Sequence, residues 1–274
     1  MTLSIDYSDK TVVVIGGTSG INLGIAEGFA AHGAKLAVAS RSEKKVTLAV
    51  EQLQKFKTTV IGKACDVRDV ESLRGVLKGF HDALGPFDVL VSGAAGNFPA
   101  TAVGMSPNAF RSVVDIDLIG SYHVAREGFV HLKKPGGTLI NISAPQATLP
   151  AALQAHVCAA KAGVDMLTRV LAIEWGPSGV RVNSIMPGPI AGTEGMARLA
   201  PTSELKESVR NSVPLKREGT PEDIANAALF LGSPLASYAT GIVMPIDGGW
   251  SLGGFGTVMA QLQRTIESSE QTRS

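Results

Sequence analysis

Residues 11–33 read TVVVIGGTSGINLGIAEGFAAHG and combine three local signals in one stretch. A short β-branched run opens the stretch and predicts a buried strand. Glycine-rich residues follow, and Ile21, Ile25 and Phe29 then recur on one stripe, which predicts a helix that ends at Gly33. A strand that turns through glycines into a helix leaves free backbone N–H groups where a phosphate binds favourably. The stretch therefore predicts a nucleotide-binding βα unit at the start of the domain.

The rest of the chain repeats this alternation of short apolar runs and segments with helical period. The predicted strands are 11–15, 35–40, 59–65, 87–92, 137–142, 180–185 and 242–246. The predicted helices after the first are 70–84, 108–132 and 155–175. Almost wholly apolar strands are buried on both faces, as in parallel sheets covered by helices. We predict an α/β fold with a single doubly wound domain over residues 1–274, in which helices flank a seven-stranded parallel sheet.

The bulk composition indicates a large core and no strongly charged partner. Of the 274 residues, 45% are hydrophobic and 18% are charged, and the net charge is +1. This balance argues against a surface that binds nucleic acid. The two cysteines, Cys65 and Cys158, lack the spacing of metal ligands, so we expect no metal site and a reducing compartment.

The sequence also shows no recognisable targeting signal or membrane-spanning segment. The opening residues MTLSIDYSDK lack the basic and apolar plan of a signal peptide. No apolar run reaches the roughly 18 residues of a membrane span. The final QTRS differs from peroxisomal tripeptides of the Ser-Lys-Leu kind. We therefore expect a cytoplasmic protein that does not bind membranes.

The glycine turn carries the first candidate binding residues. Gly16 and Gly20 would let the backbone pass close to a pyrophosphate, and Thr18 and Ser19 add hydroxyl donors. A tight βα turn without a ligand remains the alternative interpretation of these residues.

The end of the second predicted strand indicates which dinucleotide is bound. This strand end has no acidic residue for a ribose 2′-hydroxyl and carries Ser40 and Arg41 instead. A hydroxyl and a guanidinium suit a 2′-phosphate, so we predict NADP(H) as the cofactor. Alternatively, Arg41 is only a solvated residue at a strand end. Asp66, after the third strand, is placed either to contact adenine or to cap the next helix.

Three later segments converge on the carboxyl ends of the strands. The small residues of VSGAAGN (91–97) let the backbone lie against a cofactor ring, and the Pro-Gly-Pro turn of NSIMPGPIAGT (183–193) suits a nicotinamide carboxamide. Lys161, among alanines that indicate partial burial, can bind ribose hydroxyls in the same cleft. The polar segment at about 190–215 interrupts the alternation, and we predict that it forms a substrate lid.

These features together resemble the short-chain dehydrogenase/reductase family over essentially the whole chain. Within the family, several stretches resemble the peroxisomal-type 2,4-dienoyl-CoA reductases. They are GAAGNF (93–98), SPNAFRSVVDIDLIGSY (106–122), HVCAAKAGVD (156–165), EWGPSGVRVNSIMPGPIAGTEG (174–195) and SPLASYATG (233–241). Asn22, where many relatives have a third glycine, departs from the pattern. The resemblance implies a Rossmann-type domain that assembles as a homotetramer.

The resemblance also implies an unusual catalytic set. The position of the family's usual serine holds Ala144, and the position of its usual tyrosine holds Val157. Asp117 replaces the usual asparagine, and Lys161 is retained. Reductases with this pattern are thought to work with the aspartate, the lysine and an ordered water. The implied activity is the NADPH-dependent reduction of 2,4-dienoyl-CoA to 3-enoyl-CoA in the β-oxidation of unsaturated fatty acids, with Asp117 and Lys161 as catalytic residues.

Binding residues follow from the same motifs. The implied cofactor-binding residues are Gly16, Thr18, Ser19, Gly20, Ile21, Ser40, Arg41, Asp66, Val67, Ala94, Lys161, Pro187, Gly188, Ile190 and Thr193. The implied acyl-CoA-binding residues are Arg41, Arg68, Phe98, Ser106, Asn108 and Arg198. We interpret His156 as a core residue outside the reacting centre, and Asp247 as either a turn residue or a contributor to the site.

The residues leave two other interpretations open. In the first, the chain keeps the cofactor and reduces another enoyl or carbonyl compound; in the second, it is a nucleotide-binding regulator that has lost catalysis. For Asp117, the alternative to a role in catalysis is a structural one, in which it caps or ties a helix kink. Retention of both Asp117 and Lys161 beside Val157 argues against simple decay of the site.

Overall fold

Seven parallel strands form one sheet in the computed structural model, which describes residues 5–271 and, of their side chains, those up to residue 264. The strands are β1 (Thr11–Ile15), β2 (Lys35–Ser40), β3 (Val60–Ala64), β4 (Val89–Ser92), β5 (Thr138–Ile142), β6 (Arg181–Pro187) and β7 (Val243–Ile246). Their order is β3-β2-β1-β4-β5-β6-β7, so the predicted fold is confirmed. The order reverses between β1 and β4, where a crevice opens at the carboxyl ends of the strands. Residues 1–4 and 272–274, used in the targeting prediction, lie outside the described residues.

Helices cover both faces of this sheet. They are α1 (Gly20–Ala31), α2 (Glu43–Gln54), α3 (Val70–Leu84), α4 (Pro107–Val114), α5 (Gly120–Phe129), α6 (Ala155–Trp175), α7 (Glu194–Leu199), α8 (Ser203–Ser212), α9 (Pro221–Gly232) and α10 (Gly254–Gln271). The bounds of α3 and α6 agree with the prediction. The single helix predicted over 108–132 is divided by a π-helical turn at Asp115–Ile119. Within the described chain, none of the helices combines the length and the apolar character needed to cross a bilayer.

The alternation of side chains along β1 explains why its whole run is apolar. Val12 and Val14 point into the core beneath α1 and α9, whereas Val13 and Ile15 point into the core beneath α3, α5 and α6. None of the four is more than 1% exposed. Full burial of such a side chain contributes about 1.5–3 kcal/mol, so both faces of the strand hold the sheet to its helices.

The predicted lid is a small helical layer with its own core. The polar segment at 190–215 contains α7 and α8, and α8 packs against α10. Leu205 and Val209 of α8 are buried with Trp250 and Phe255, whose rings meet edge to face at 4.9 Å. The Trp250 indole donates a hydrogen bond to the Ser212 hydroxyl at 2.8 Å. The polar residues that marked the segment form the outer face of these helices.

The N-terminus of α9 is fixed by reciprocal hydrogen bonds. The Thr220 hydroxyl accepts from the Asp223 backbone at 3.2 Å, and the Asp223 carboxylate accepts from the Thr220 backbone at 2.8 Å. Arg217 donates to both oxygens of the same carboxylate at 2.7 and 3.0 Å. The hydrogen bond from Arg217 is the main cause that lowers the pKa of Asp223 to about 2.

Asp223→Ala is expected to lower the free energy of unfolding by about 1 kcal/mol at neutral pH, because α9 loses half of its capping box. The folded-state pKa lies below its ordinary value of 3.8, so this stabilisation is present above that value and is lost as pH falls toward 2. Urea unfolding between pH 7 and about pH 3 measures the effect. Glu222→Ala, on the same exposed first turn, is the control. An equal loss in both variants would contradict the prediction.

Candidate active site

A pocket of about 540 Å³ opens at the carboxyl ends of the strands. Its lining comes from the glycine turn after β1, the end of β2, the loop after β4, the turn after β5, α6, and the segment between β6 and α7. The predicted residues that line it are Gly16, Thr18, Ser19, Gly20, Ile21, Ser40, Arg41, Val67, Ala94, Asp117, Lys161, Pro187, Gly188, Ile190 and Thr193. The structure therefore brings most of the predicted site residues into one cleft.

The glycine turn has the geometry that a pyrophosphate requires. Gly16 has a φ of +84°, and a Cβ there would lie 2.8 Å from the Ala94 backbone nitrogen. Gly20 has a φ of +54° and begins α1. Ser19 precedes α1 without capping it through its side chain, so the N–H groups of the first turn remain available to an anion. These features fit a bound dinucleotide.

Asn22 takes a structural part that a glycine would not. Its side-chain nitrogen donates to the Gly93 carbonyl oxygen at 2.7 Å and so ties α1 to the loop after β4. A Cβ on Gly93 would lie within 2.5 Å of the Asn22 side chain, so a glycine is needed opposite the asparagine. Asn22 therefore adds a hydrogen bond that holds the glycine turn against the loop after β4, and the backbone of the turn stays accessible.

The end of β2 presents hydroxyl and cationic groups to the pocket. The Thr18 hydroxyl donates to the Ser40 hydroxyl at 2.9 Å. Arg41 is exposed, and no hydrogen bond or ion pair of the described residues engages its side chain. Lys45 also lines the pocket, and its Nζ lies 3.4 Å from Oε1 of Glu194 in α7. Arg41 and Lys45 thus bring positive charge to the place predicted for a ribose phosphate.

Asp66 and Arg68 are engaged with each other after β3. Arg68 donates to both carboxylate oxygens of Asp66, at 2.6 Å for the shortest contact. This hydrogen bonding is the main cause that lowers the pKa of Asp66. Neither residue lines the pocket, although their neighbours Cys65 and Val67 do. An adenine contact by Asp66 and a CoA contact by Arg68 therefore stay predictions.

The turn after β6 forms the opposite wall. Gly188 donates its backbone N–H to the Ile246 carbonyl oxygen at 3.0 Å, and a Cβ on Gly188 would lie 2.5 Å from Asp247 Cα. Thr193 caps α7 and donates its hydroxyl to the Ile190 carbonyl oxygen at 2.8 Å. Asp247 accepts from the backbone of Gly249 and Ser251, which gives it a role in the turn.

The π-helical turn aims Asp117 into the pocket. Asp117 Oδ1 accepts from the Gly96 backbone at 2.7 Å, and Oδ2 lies 3.4 Å from the ammonium of Lys161. Lys161 also donates to the Ile142 carbonyl oxygen at 2.9 Å. Both side chains are buried, at 1% and 5% exposure, and Oδ2 has no hydrogen-bond partner among the described residues. The pair thus retains an unused acceptor site beside the pocket.

Two pocket positions hold apolar residues where the family that the sequence resembles usually has a serine and a tyrosine. Val157, four residues before Lys161, is 3% exposed and lines the pocket. Ala144 lines it as well, at the end of β5. Near Lys161, the predicted proton-handling group is therefore Asp117 rather than a hydroxyl on α6. His156 lies outside the lining, packed at 4.5 Å against Phe98, and burial is the main cause that lowers its pKa.

Five predicted acyl-CoA contacts do not line the pocket. Ser106 caps α4 by accepting from the Ala109 backbone, and Asn108 is exposed on that helix. Arg198 donates to the Asn97 carbonyl oxygen at 2.6 Å, which links α7 to the loop after β4. Phe98 packs on a histidine, and Arg68 pairs with an aspartate as described above. These residues lie around the pocket, and their substrate contacts stay predictions.

Several lining residues were not predicted from the sequence. They are Asn22, Lys45, Asn97, Gln146, Met196, Leu199 and Trp250, among others. Met196, Leu199 and Trp250 belong to the helical layer around the lid, so the lid forms part of the wall. Among these residues, Asn22 stood out in the sequence as the departure from a third glycine, and Lys45 as a cation close to the end of β2.

Sequence comparisons match the chain to known reductases. A family model described as enoyl-(acyl carrier protein) reductase matches residues 16–251. The chain is 40% and 41% identical to the peroxisomal 2,4-dienoyl-CoA reductases, (3E)-enoyl-CoA-producing, of Danio rerio and Arabidopsis thaliana. The matches cover 88% of this chain and 81% and 84% of those relatives.

Solved structures show the same architecture. The NADPH-bound structure of a short chain oxidoreductase from Pseudomonas aeruginosa PAO1, containing an atypical catalytic center, matches with a TM-score of 0.83. It is 29% identical, and the match covers 89% of this chain and 97% of that chain.

Proposed function

The chain belongs to the short-chain dehydrogenase/reductase family, and on this premise we propose that it reduces a 2,4-dienoyl-CoA to a 3-enoyl-CoA with NADPH. One observation carries the proposal: the buried pair of Asp117 and Lys161 lines the pocket, whereas Val157 stands where a hydroxyl donor is usual. Identity of about 40% to proteins named as 2,4-dienoyl-CoA reductases supports the substrate class.

The chemistry of a conjugated thioester explains why the hydroxyl is dispensable. Reduction of a ketone leaves an alkoxide that needs an acid of matched pKa beside it. Bound NADPH would supply a hydride to C5 of the dienoyl group, and the electron pair of the C4–C5 double bond would then move through the conjugated system to the thioester oxygen. Water donates a proton to C2, which leaves the C3–C4 double bond of the 3-enoyl product, and the hydroxide that remains takes a proton from the solvent. The negative charge on the thioester oxygen is stabilised by hydrogen-bond donors, and C2 is protonated in a separate step, so no hydroxyl acid is needed beside that oxygen.

The two buried residues have distinct parts in this scheme. The Lys161 ammonium, fixed by Ile142 and Asp117, would hold the ribose hydroxyls of the cofactor and make the local field positive. Asp117 is anchored by the Gly96 N–H through one carboxylate oxygen and keeps an acceptor site on the other. That oxygen is buried and has no hydrogen-bond partner among the described residues, so the water that protonates C2 would be its partner and would be oriented by it.

The preference for NADPH over NADH is part of the proposal. Ser40, the unpaired Arg41 and Lys45 line the pocket at the end of β2 and match the charge of a 2′-phosphate. The Pseudomonas aeruginosa neighbour, whose structure contains NADPH, supports a site of this kind on the same fold.

Arg41→Ala is expected to weaken NADPH binding by about 10- to 100-fold, because a hydrogen bond to a charged group contributes about 1.5–3 kcal/mol. NADH binding should change little, since NADH lacks the 2′-phosphate. Fluorescence titration of both cofactors measures the two dissociation constants. Lys44→Ala removes a neighbouring exposed cation that does not line the pocket and is the matched control. Equal weakening of NADPH and NADH would contradict the prediction.

An assay with purified protein tests the proposed activity. NADPH and 2,4-hexadienoyl-CoA are mixed with the protein, absorbance of both is followed, and the double-bond position of the product is read by NMR. We expect oxidation of NADPH with formation of a 3-enoyl thioester. Turnover of a simple ketone or a 2-enoyl-CoA in place of the dienoyl-CoA would favour another reductase activity. Tight NADPH binding without turnover of any acceptor would favour a nucleotide-binding regulator.

We further propose that CoA is held by cations around the mouth of the pocket. Arg41 lies in the lining, and Arg198 and Arg68 are exposed on elements beside it. Such scattered cations suit the phosphates of CoA, and Arg198 would exchange its contact with the Asn97 carbonyl for one with the ligand.

Assembly as a homotetramer, which the family resemblance implies, is likewise a proposal. Exposed apolar side chains on α4, α5 and α6 support it. They are Phe110, Tyr122, Met166, Val170 and Ile173, the last of which is 78% exposed. Light scattering coupled to gel filtration gives the mass, and a monomer at micromolar concentration would exclude this assembly. Cytoplasmic location stays a prediction.

A further inference from the structure

Gln146 lies in the short helical turn Pro145–Ala147, between the end of β5 and α6. The turn is held by its own backbone, through hydrogen bonds from Ala147 to Ala144 at 2.9 Å and from Leu149 to Pro145 at 2.9 Å. The Gln146 side chain therefore has no part in holding the turn. The residue is only 7% exposed, and it lines the pocket together with Asp117 and Lys161.

The amide of Gln146 is unused by the protein. Among the described residues, none forms a hydrogen bond with this amide. Its oxygen and nitrogen are also not sealed inside the protein, so both atoms reach the pocket. A mostly buried side chain thus keeps a donor and an acceptor accessible within the cleft. The Gln146 amide can therefore bind a polar group of a ligand that enters the pocket.

Other polar groups at this end of the pocket are less available as donors. Lys161 donates to the Ile142 carbonyl oxygen, lies beside Asp117, and is assigned to the ribose hydroxyls of the cofactor in the proposed function. The Ser143 hydroxyl is sealed from solvent, and Asn97 has its side-chain oxygen sealed as well. Among the amide side chains that line the pocket, Gln146 is the one whose polar atoms are both accessible and free of a hydrogen-bond partner in the described residues, since Asn22 and Asn97 each have a sealed oxygen.

We propose that Gln146 is a catalytic residue whose side-chain Nε2 donates a hydrogen bond to the thioester carbonyl oxygen of the substrate. This inference rests on the proposed function, because it assigns the donor that the dienolate requires. No bond to Gln146 forms or breaks, and its proton stays on nitrogen. The hydrogen bond strengthens as negative charge reaches the oxygen, so it stabilises the transition state more than the bound substrate.

Gln146→Met tests the proposal, since methionine has a similar length and no donor. We expect kcat for 2,4-hexadienoyl-CoA to fall by about 100-fold, as for loss of one donor to an oxyanion, with the NADPH dissociation constant unchanged. Gln146→Glu keeps the shape and replaces the donor by a like charge, so it should lose at least as much. Gln54→Met, exposed on α2, is the matched control and should retain full activity.

A spectroscopic readout separates a donor from a packing role. Polarisation of the thioester carbonyl shifts the absorption of a bound dienoyl-CoA to longer wavelength, and this shift can be recorded in the unreactive complex with NADP⁺. We expect a smaller shift in both Gln146 variants than in the wild-type protein. The inference alone would be overturned if the wild-type protein reduces dienoyl-CoA and the Gln146 variants show the same kcat and the same absorption shift as the wild-type protein. A wild-type protein that does not reduce dienoyl-CoA would overturn the proposed function and this inference with it.

Discussion

Asp117→Asn is expected to lower kcat for a 2,4-dienoyl-CoA by about 100- to 1,000-fold, within the range that positioned acid–base groups contribute. Asparagine keeps the size of the side chain and can still accept from the Gly96 backbone. It removes the negative charge beside Lys161 and weakens the acceptor that would orient the protonating water. Steady-state kinetics with NADPH at saturation measures the change, and fluorescence titration is expected to show cofactor binding altered by only a few fold.

The control for this prediction is Asp115→Asn. Asp115 lies in the same π-helical turn and is half-buried, but it does not line the pocket. Its variant should retain kcat, because the reacting groups do not contact it. Activity that survives Asp117→Asn would remove Asp117 from the mechanism and return it to a role in the helix kink.

Lys161→Met is expected to have a still broader effect, on stability, cofactor affinity and turnover together. Removing the ammonium leaves the Asp117 carboxylate 1% exposed and without its cation. Breaking a buried ion pair from one side costs about 3–5 kcal/mol, so urea unfolding should show a loss of this size. The NADPH dissociation constant should rise, because the proposed contact with the ribose hydroxyls is lost.

The double variant Asp117→Asn and Lys161→Met separates the effect of the unpaired carboxylate on stability from the effect of losing the lysine side chain itself. If the loss of stability arises from an unpaired buried charge, the double variant should unfold with a smaller loss than the sum of the two single losses. Strict additivity of the free energies of unfolding would show that the 3.4 Å contact contributes no coupling. The double variant should remain inactive in either case.

Predictions from local patterns succeeded where a strand or helix is decided by its own residues. The apolar run of β1 and the stripe on α1 lie at the predicted positions, because burial on both faces of a parallel strand leaves a continuous signal. The bounds of α6 agree with the prediction as well, since a helical period also extends over many residues of the chain. The division of the helix over 108–132 was not predicted, since the residues DIDLI carry no local signal for a π-helical turn.

Single side chains in the site were harder to predict. Arg68 carries the same charge as Arg41, yet Asp66 lies two residues before it and engages it, while Arg41 stays unpaired at the pocket. Gln146 was not predicted to bind the substrate, because a glutamine in a short turn is ordinarily solvated, and only the neighbouring elements bury it in the cleft. Such outcomes depend on which groups lie nearby in space.

The sequence by itself determined the doubly wound sheet, the glycine turn at Gly16 and Gly20, and, through resemblance to a family, the substitution of Val157 beside a retained Lys161. Hydrophobic period and glycine placement act over a few residues, so they can be read along the chain. The tertiary structure alone decided that Asp117 meets Lys161 across 3.4 Å and that Gln146 turns an unpaired amide into the same pocket. Those contacts join residues far apart in the chain, and their strength depends on burial, which only the packed fold provides.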